Sequence, residues 1–154
     1  MLRIISSKAN TLQEAMDEIH REVEELVGEN RQRTHESTLI VFDDRQEMAL
    51  HFVHFTDLLK EARGNYRDLV DLIPFHPRNK HANLKGKDVP NEEPFDYSFR
   101  SPFPTIHLLR EEDIMKSERA GDTDYIRRRN RDRFHRQGLD VCRERLQACY
   151  DVEK

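Results

Sequence analysis

Ser37-Thr-Leu-Ile-Val-Phe42 places apolar and β-branched side chains at consecutive positions. A strand built from it would bury both faces, as strands do in the interior of a sheet. Upstream, Leu2 to Ser6 is a second short run rich in isoleucine and reads as another strand. Between the two lies Thr11-Leu-Gln-Glu14, a capping box in which the threonine hydroxyl takes a first-turn amide and the glutamate reaches back. Leu12, Ala15, Met16, Ile19, Val23, Leu26 and Val27 follow at spacings of three and four, one helical stripe, and Gly28 supplies a stop. Residues 29–36 are a polar connector. Downstream, Asp43-Asp44 ends the strand. Met48 to Lys60 then restores the helical spacing with Met48, Phe52, Phe55 and Leu59, closed at Gly64-Asn65.

Leu69 to Phe75 and Thr105 to Leu109 read as third and fourth strands. The chain turns helical from Asp122, with Gly138 as a break before Leu139, Cys142, Leu146 and Cys149. The predicted order is β-α-β-α-β-long loop-β-α. It specifies an α/β fold in which helices pack on a small four-stranded mixed sheet. Residues 1–150 read as a single domain, with an ordered Pro/Phe-rich loop at 76–104 and a C-terminal helical segment at 122–150.

The 154 residues suit one domain, and the charged share of 36% exceeds the usual quarter. A mean hydropathy of −0.91 would permit disorder. The periodic placement of the apolar residues argues against it. No run approaches the ~18–20 apolar residues of a membrane span, and the opening Met1-Leu-Arg-Ile-Ile is too short for a secretory signal. No membrane is therefore expected, and a cytoplasmic location is, with an organelle as the alternative. The two cysteines, Cys142 and Cys149, lie seven apart, about 10 Å along a helix, too far for a disulfide. They read as small core residues of a reducing compartment.

All six prolines fall between Pro74 and Pro104, and Phe75, Phe95, Phe99 and Phe103 join them. Proline lowers the entropy that a long loop must lose, and phenylalanine gives it something to bury. That loop is expected to fold back on the body.

Phe75-His-Pro77, then Tyr97-x-x-Arg-Ser-Pro-Phe-Pro104, then Ile106-His-Leu-Leu-Arg-Glu111, resemble an uncharacterised family, domain of unknown function 1415. Ser37-Thr-Leu-Ile-Val, Phe55-x-x-Leu58 and Ile126-x-x-x-Asn130 with Gly138 extend the resemblance over roughly residues 3 to 148. The family opens with a Cys-Pro-Phe segment, and this sequence begins after that point, so chemistry that needs that thiol is not expected. Where the family has Asn-Tyr-x-Asn, this sequence reads Asp96-Tyr-Ser-Phe99. The resemblance implies no established activity, and it leaves the cofactor unknown.

If the third and fourth strands are antiparallel neighbours, the proline loop joins the end of one to the start of the other. His76 and His107 would then meet at that edge as candidate catalytic residues. Arg100, Arg110, Asp96 and Arg78 are the candidate ligand-binding residues. A cation beside an imidazole keeps it neutral and basic near pH 7, and a guanidinium takes a carboxylate or phosphate bidentately. The expected function is binding, or acid/base turnover, of a small anionic metabolite. In the competing reading His107 is a buried core histidine and Arg100 holds the loop by its carbonyls. A metal would need a third ligand, Asp96 or His81, and no close histidine pair anchors one. His51 and His54 are expected to edge the core.

A different class of function comes from Arg127-Arg-Arg-Asn-Arg-Asp-Arg-Phe-His-Arg136, a basic run suited to nucleic-acid phosphates or an acidic protein. The net charge of −4 and the lack of an aromatic platform beyond Phe134 argue against nucleic acid. Acids such as Glu111, Glu112, Asp113 and Glu118 are available to pair with the arginines.

Overall fold

The central strand read from residues 37–42 is central in space. The computed structural model describes residues 1–28, 35–42, 52–79 and 92–151. Its elements run β1 (Leu2–Ser7), α1 (Leu12–Val27), β2 (Ser37–Phe42), α2 (Phe52–Tyr66), β3 (Val70–Phe75), a 3₁₀ helix (Pro94–Phe99) and β4 (Thr105–Arg110). Three more helices follow, α3 (Glu111–Arg119), α4 (Asp122–Gln137) and α5 (Leu139–Tyr150). The sheet order is β1-β2-β4-β3, with β2 parallel to β1 and antiparallel to β4. This is the mixed four-stranded sheet with packed helices that the pattern specifies. The Glu111 N–H bonds the Leu69 carbonyl at 3.1 Å, so the end of β4 lies beside the beginning of β3.

The described residues fall into two compact units, Met1–Pro74 with Phe103–Lys116, and Phe75–Pro102 with Ser117–Lys154. The first unit holds the sheet. Ile40 and Phe42 of β2, Val70 and Leu72 of β3, and Ile106 and Leu108 of β4 point to one face. There they bury against Ala15, Met16, Ile19, Val23 and Leu26 of α1 and Phe55, Leu58, Leu59 and Ala62 of α2. Each fully buried Leu, Ile or Phe contributes about 1.5–3 kcal/mol. Alternation along the strands sends Leu39 and Val41 of β2, and His107 and Leu109 of β4, to the other face. His107 sits directly opposite Leu39.

The α1 cap forms with one shift. The Glu14 N–H donates to Thr11 Oγ1 at 3.2 Å, but the Glu14 carboxylate reaches past Thr11 to the Asn10 N–H at 2.6 Å. The second helix runs to Tyr66, through Gly64, where the Gly64-Asn65 pair had suggested an end. Its start near Met48, together with Asp43-Asp44 and His51, lies outside the described residues, as do most of the 29–36 connector and His81.

In the second unit, Thr123, Asn130, Phe134 and Gln137 of α4 are half-buried, and α4 packs on the 3₁₀ helix. Within the 3₁₀ helix Phe95 is buried and meets Phe99 edge to face at 5.6 Å. Cys142 of α5 is buried, as expected of a small core residue. Cys149 is exposed, with its thiol donating to the Arg145 carbonyl at 3.3 Å. Seven residues bring Cys149 back to within about 20° of the Cys142 face, but it lies in the last turn of α5 and is not the core residue expected.

Gly138 links α4 to α5 at φ 79°, ψ 162°, a conformation in which a side chain is strained by about 1–3 kcal/mol. Gly64 has nothing within 4 Å of an added Cβ. Gly138→Ala is therefore expected to destabilise the chain by that amount, while Gly64→Ala gains about 0.5–1 kcal/mol from helix propensity. Denaturant midpoints for the two variants check this, and equal effects would contradict it.

Candidate functional site

His76 follows β3 and is almost fully buried. Its N–H donates to the Phe99 carbonyl at 3.2 Å, and the Asn79 side-chain amide donates to the same carbonyl at 3.1 Å. Asn79 N–H closes the turn on the His76 carbonyl at 3.0 Å. The Arg78 N–H donates to His76 Nδ1 at 3.0 Å, so the neutral ring carries its proton on Nε2. Burial, reinforced by the nearby Arg78 charge, lowers the His76 pKa to about 4.

Arg100 closes the other side of this loop. Its Nε donates to the Asn79 carbonyl at 2.8 Å, its Nη1 to Glu92 Oε1 at 2.5 Å, and its guanidinium lies over the Tyr97 ring at 4.4 Å. Glu92 also accepts the Tyr97 hydroxyl at 2.9 Å, and its second oxygen accepts Arg143 Nε and Nη2 at 2.9 and 2.6 Å. Burial alone would raise the Glu92 carboxyl. The hydrogen bonds from Arg100, Arg143 and Tyr97 overcome that and hold its pKa at about 2. Asp96 is buried and accepts the Glu93 N–H at 2.8 Å, which caps the 3₁₀ helix.

The remaining two candidates belong to the first unit and point to opposite faces of β4. His107 Nε2 is buried with no hydrogen-bond partner among the described residues, and burial pushes the ring's pKa below the usual histidine range. Arg110 is buried on the core side. Its guanidinium donates to the carbonyls of Leu26 (2.9 Å), His35 (2.7 Å) and Glu36 (3.2 Å) and to Asp113 at 3.3 Å. His76, Arg78, Asp96 and Arg100 thus belong to one unit, and His107 and Arg110 to the other.

The basic run occupies α4. Arg127, Arg128, Arg129, Arg131, Arg133 and Arg136 are all exposed and cover the sides of the helix left free by its Thr123-Asn130-Phe134-Gln137 stripe. Among the described residues one ion pair involves them, Arg127 to Asp124 at 3.9 Å, between two exposed side chains. Arg131 lies over the Phe95 ring at 5.1 Å and Arg129 over Tyr125 at 5.9 Å. Asp122 and Asp124 in the first turn and His135 and Arg136 in the last match the helix dipole. The second unit carries 15 Lys and Arg against 12 Asp and Glu, net +3, and the first 11 against 18, net −7. The whole-chain charge of −4 conceals that division.

The family described as Protein of unknown function (DUF1415) matches residues 1–144. The chain belongs to DUF1415. No curated protein and no solved structure matches it.

Within this DUF1415 chain, Arg100 and Arg110 have the chemistry of anion ligands, but the donors described above are committed to carbonyls and carboxylates of the protein. The residues that make the loop network possible, Glu92 and Arg143, were not singled out from the sequence. They are 51 positions apart, and no periodicity links them. Tyr125 does carry a signal in the sequence, since its position four residues before Arg129 places the two on one helix face. Among the described residues no group of three His, Cys, Asp or Glu side chains is arranged to hold a metal ion, and no helix is long and apolar enough to cross a membrane.

The His76 environment has a pH consequence. Its folded pKa of about 4 lies below the unfolded value of about 6.5, so its contribution to stability is complete above pH 6.5 and is lost as the pH falls toward 4. An NMR titration should find the His76 ring neutral down to about pH 5, and a midpoint near 6.5 would contradict the burial argument.

Proposed function

We propose that this DUF1415 chain is a non-catalytic module that binds a polyanion, nucleic acid foremost, through α4. The observation that carries the reading is the exposure of six arginines in ten residues with a single long ion pair among the described residues. Exposed pairs of that kind contribute about 0–1 kcal/mol, so the arginines stay available. The positive balance of the second unit supports the reading as well. In contrast, Arg100 and Arg110 are engaged with protein partners, which weighs against their use for a small ligand.

The test is retention on heparin and on immobilised polyglutamate. Binding to heparin should survive moderate salt and disappear when Arg127, Arg128 and Arg129 are replaced by Gln. Stronger retention on polyglutamate would favour an acidic protein partner, and no retention on either matrix would remove the proposal.

A second reading, turnover or binding of a small anionic metabolite, keeps one specific observation, the buried His107 Nε2, which has no hydrogen-bond partner among the described residues. A buried polar atom left unpaired costs about 1–3 kcal/mol, which a ligand hydrogen bond would recover. A panel of small carboxylates and phosphates should then raise the melting temperature of the wild type and not of His107→Ala. A panel with no effect on either protein would sink this reading.

A further inference from the structure

We infer that the polyanion is a single-stranded nucleic acid, tracked by the stripe Tyr125-Arg129-Arg133-Arg136 with a base stacked on Tyr125. This rests on the polyanion reading of α4 and narrows it. The four residues are spaced by four, four and three, so they line one side of the helix over about 16 Å. All four are exposed.

Tyr125 is 62% exposed, the most exposed aromatic side chain among the described residues. An aromatic ring left mostly in water forgoes most of the burial that normally stabilises it, so packing accounts for little of its presence here. Its neighbour Arg129 lies 5.9 Å from the ring centroid, which keeps a cation and a π-face side by side at the start of the row. At the other end, Arg136 Nε donates to the Asp132 carbonyl at 3.3 Å, which holds that guanidinium against the helix. Asp132 is the carboxylate nearest the row's arginines by helical position, and Asp122 lies three residues before Tyr125. Asp132 forms no ion pair within 4.0 Å with Arg129, Arg133 or Arg136 among the described residues. Phosphates alone would satisfy the arginines in a duplex or a single strand. The exposed ring decides between them, because only unstacked bases offer it a free face.

The experiment uses the full chain, with fluorescence anisotropy on a labelled 12-nucleotide oligouridine, on an RNA duplex of equal length, and with inorganic polyphosphate as competitor. The single strand should bind more tightly than the duplex at the same salt. Tyr125→Ala should weaken single-strand binding by about 5- to 140-fold, the range of one lost base stack, and leave heparin retention unchanged. Tyr125→Trp should preserve or raise the affinity. Equal binding of the single strand by wild type and Tyr125→Ala, or tighter binding of the duplex, would overturn the inference and leave the polyanion reading standing. Failure of polyphosphate to compete, together with no heparin retention, would overturn both.

Discussion

Glu92→Gln is expected to lower the stability of the second unit by about 3 kcal/mol at pH 7, the low end of the cost of breaking a buried ion pair from one side, because the Glu92 side chain keeps 24% of its surface exposed. The amide oxygen can still accept hydrogen bonds, but the neutral amide cannot neutralise Arg100, whose side chain is 9% exposed. Arg143, more exposed, loses less. Because Asn79 and His76 are tied to Arg100 and Phe99, the whole return of the loop loosens together.

The same carboxylate gives the prediction a pH signature. Its folded pKa of about 2 lies below the ordinary value of 4.5, so its stabilisation is complete above about pH 4.5 and is lost as the pH falls toward 2. A shift of that size corresponds to about 3 kcal/mol. Hydrogen exchange at the His76 and Asn79 amides, compared between wild type and Glu92→Gln, should show a gap at pH 7 that shrinks at pH 3. A gap of the same size at both would mean that charge is not what holds the loop. The His76 contribution titrates in a separate window, between pH 6.5 and 4, and is common to both proteins.

Arg110→Ala should cost as much or more, about 3–5 kcal/mol, for a different reason. The guanidinium satisfies the Leu26 carbonyl, one of those a helix end leaves without a partner, and joins it to the carbonyls of His35 and Glu36 ahead of β2. Its removal leaves several acceptors unpaired at once. Arg110→Lys should recover only part of the loss, since an ammonium is a single point and cannot span acceptors that a planar fork reaches from three nitrogens. Urea unfolding of the three proteins measures the series. A lysine variant as stable as wild type would show that the carbonyl bonds contribute little, and would free Arg110 for a ligand.

The sheet was legible because its strands alternate or saturate with apolar residues and because α1 announces itself by cap, stripe and stop. The helix α3 was not. Glu111–Arg119 buries no residue, and a helix without a buried face carries no stripe to read. The 3₁₀ helix was hidden inside a proline-rich stretch whose composition says only that it is stiff. Gly64 misled because a glycine that meets nothing can remain inside a helix at modest cost. In the candidate site, residue types were legible and partners were not. Arg100 and Arg110 were recognisable as anion-binding side chains, but whether an arginine meets a ligand or a carbonyl depends on segments 21 and 84 positions away. The basic run was plain, while the whole-chain charge obscured how unevenly that charge is divided. Tyr125 could have been found from its four-residue spacing alone.

The central claim, that α4 binds nucleic acid through its exposed arginines, is tested most directly by the salt dependence of oligouridine affinity. For a single strand, log K falls with log salt at about −0.7 per phosphate engaged. Wild type should give a slope of about −2 to −4, and the Arg129, Arg133, Arg136→Gln triple variant a slope shallower by about 2. A slope near zero, or one unchanged by the triple substitution, would contradict the account.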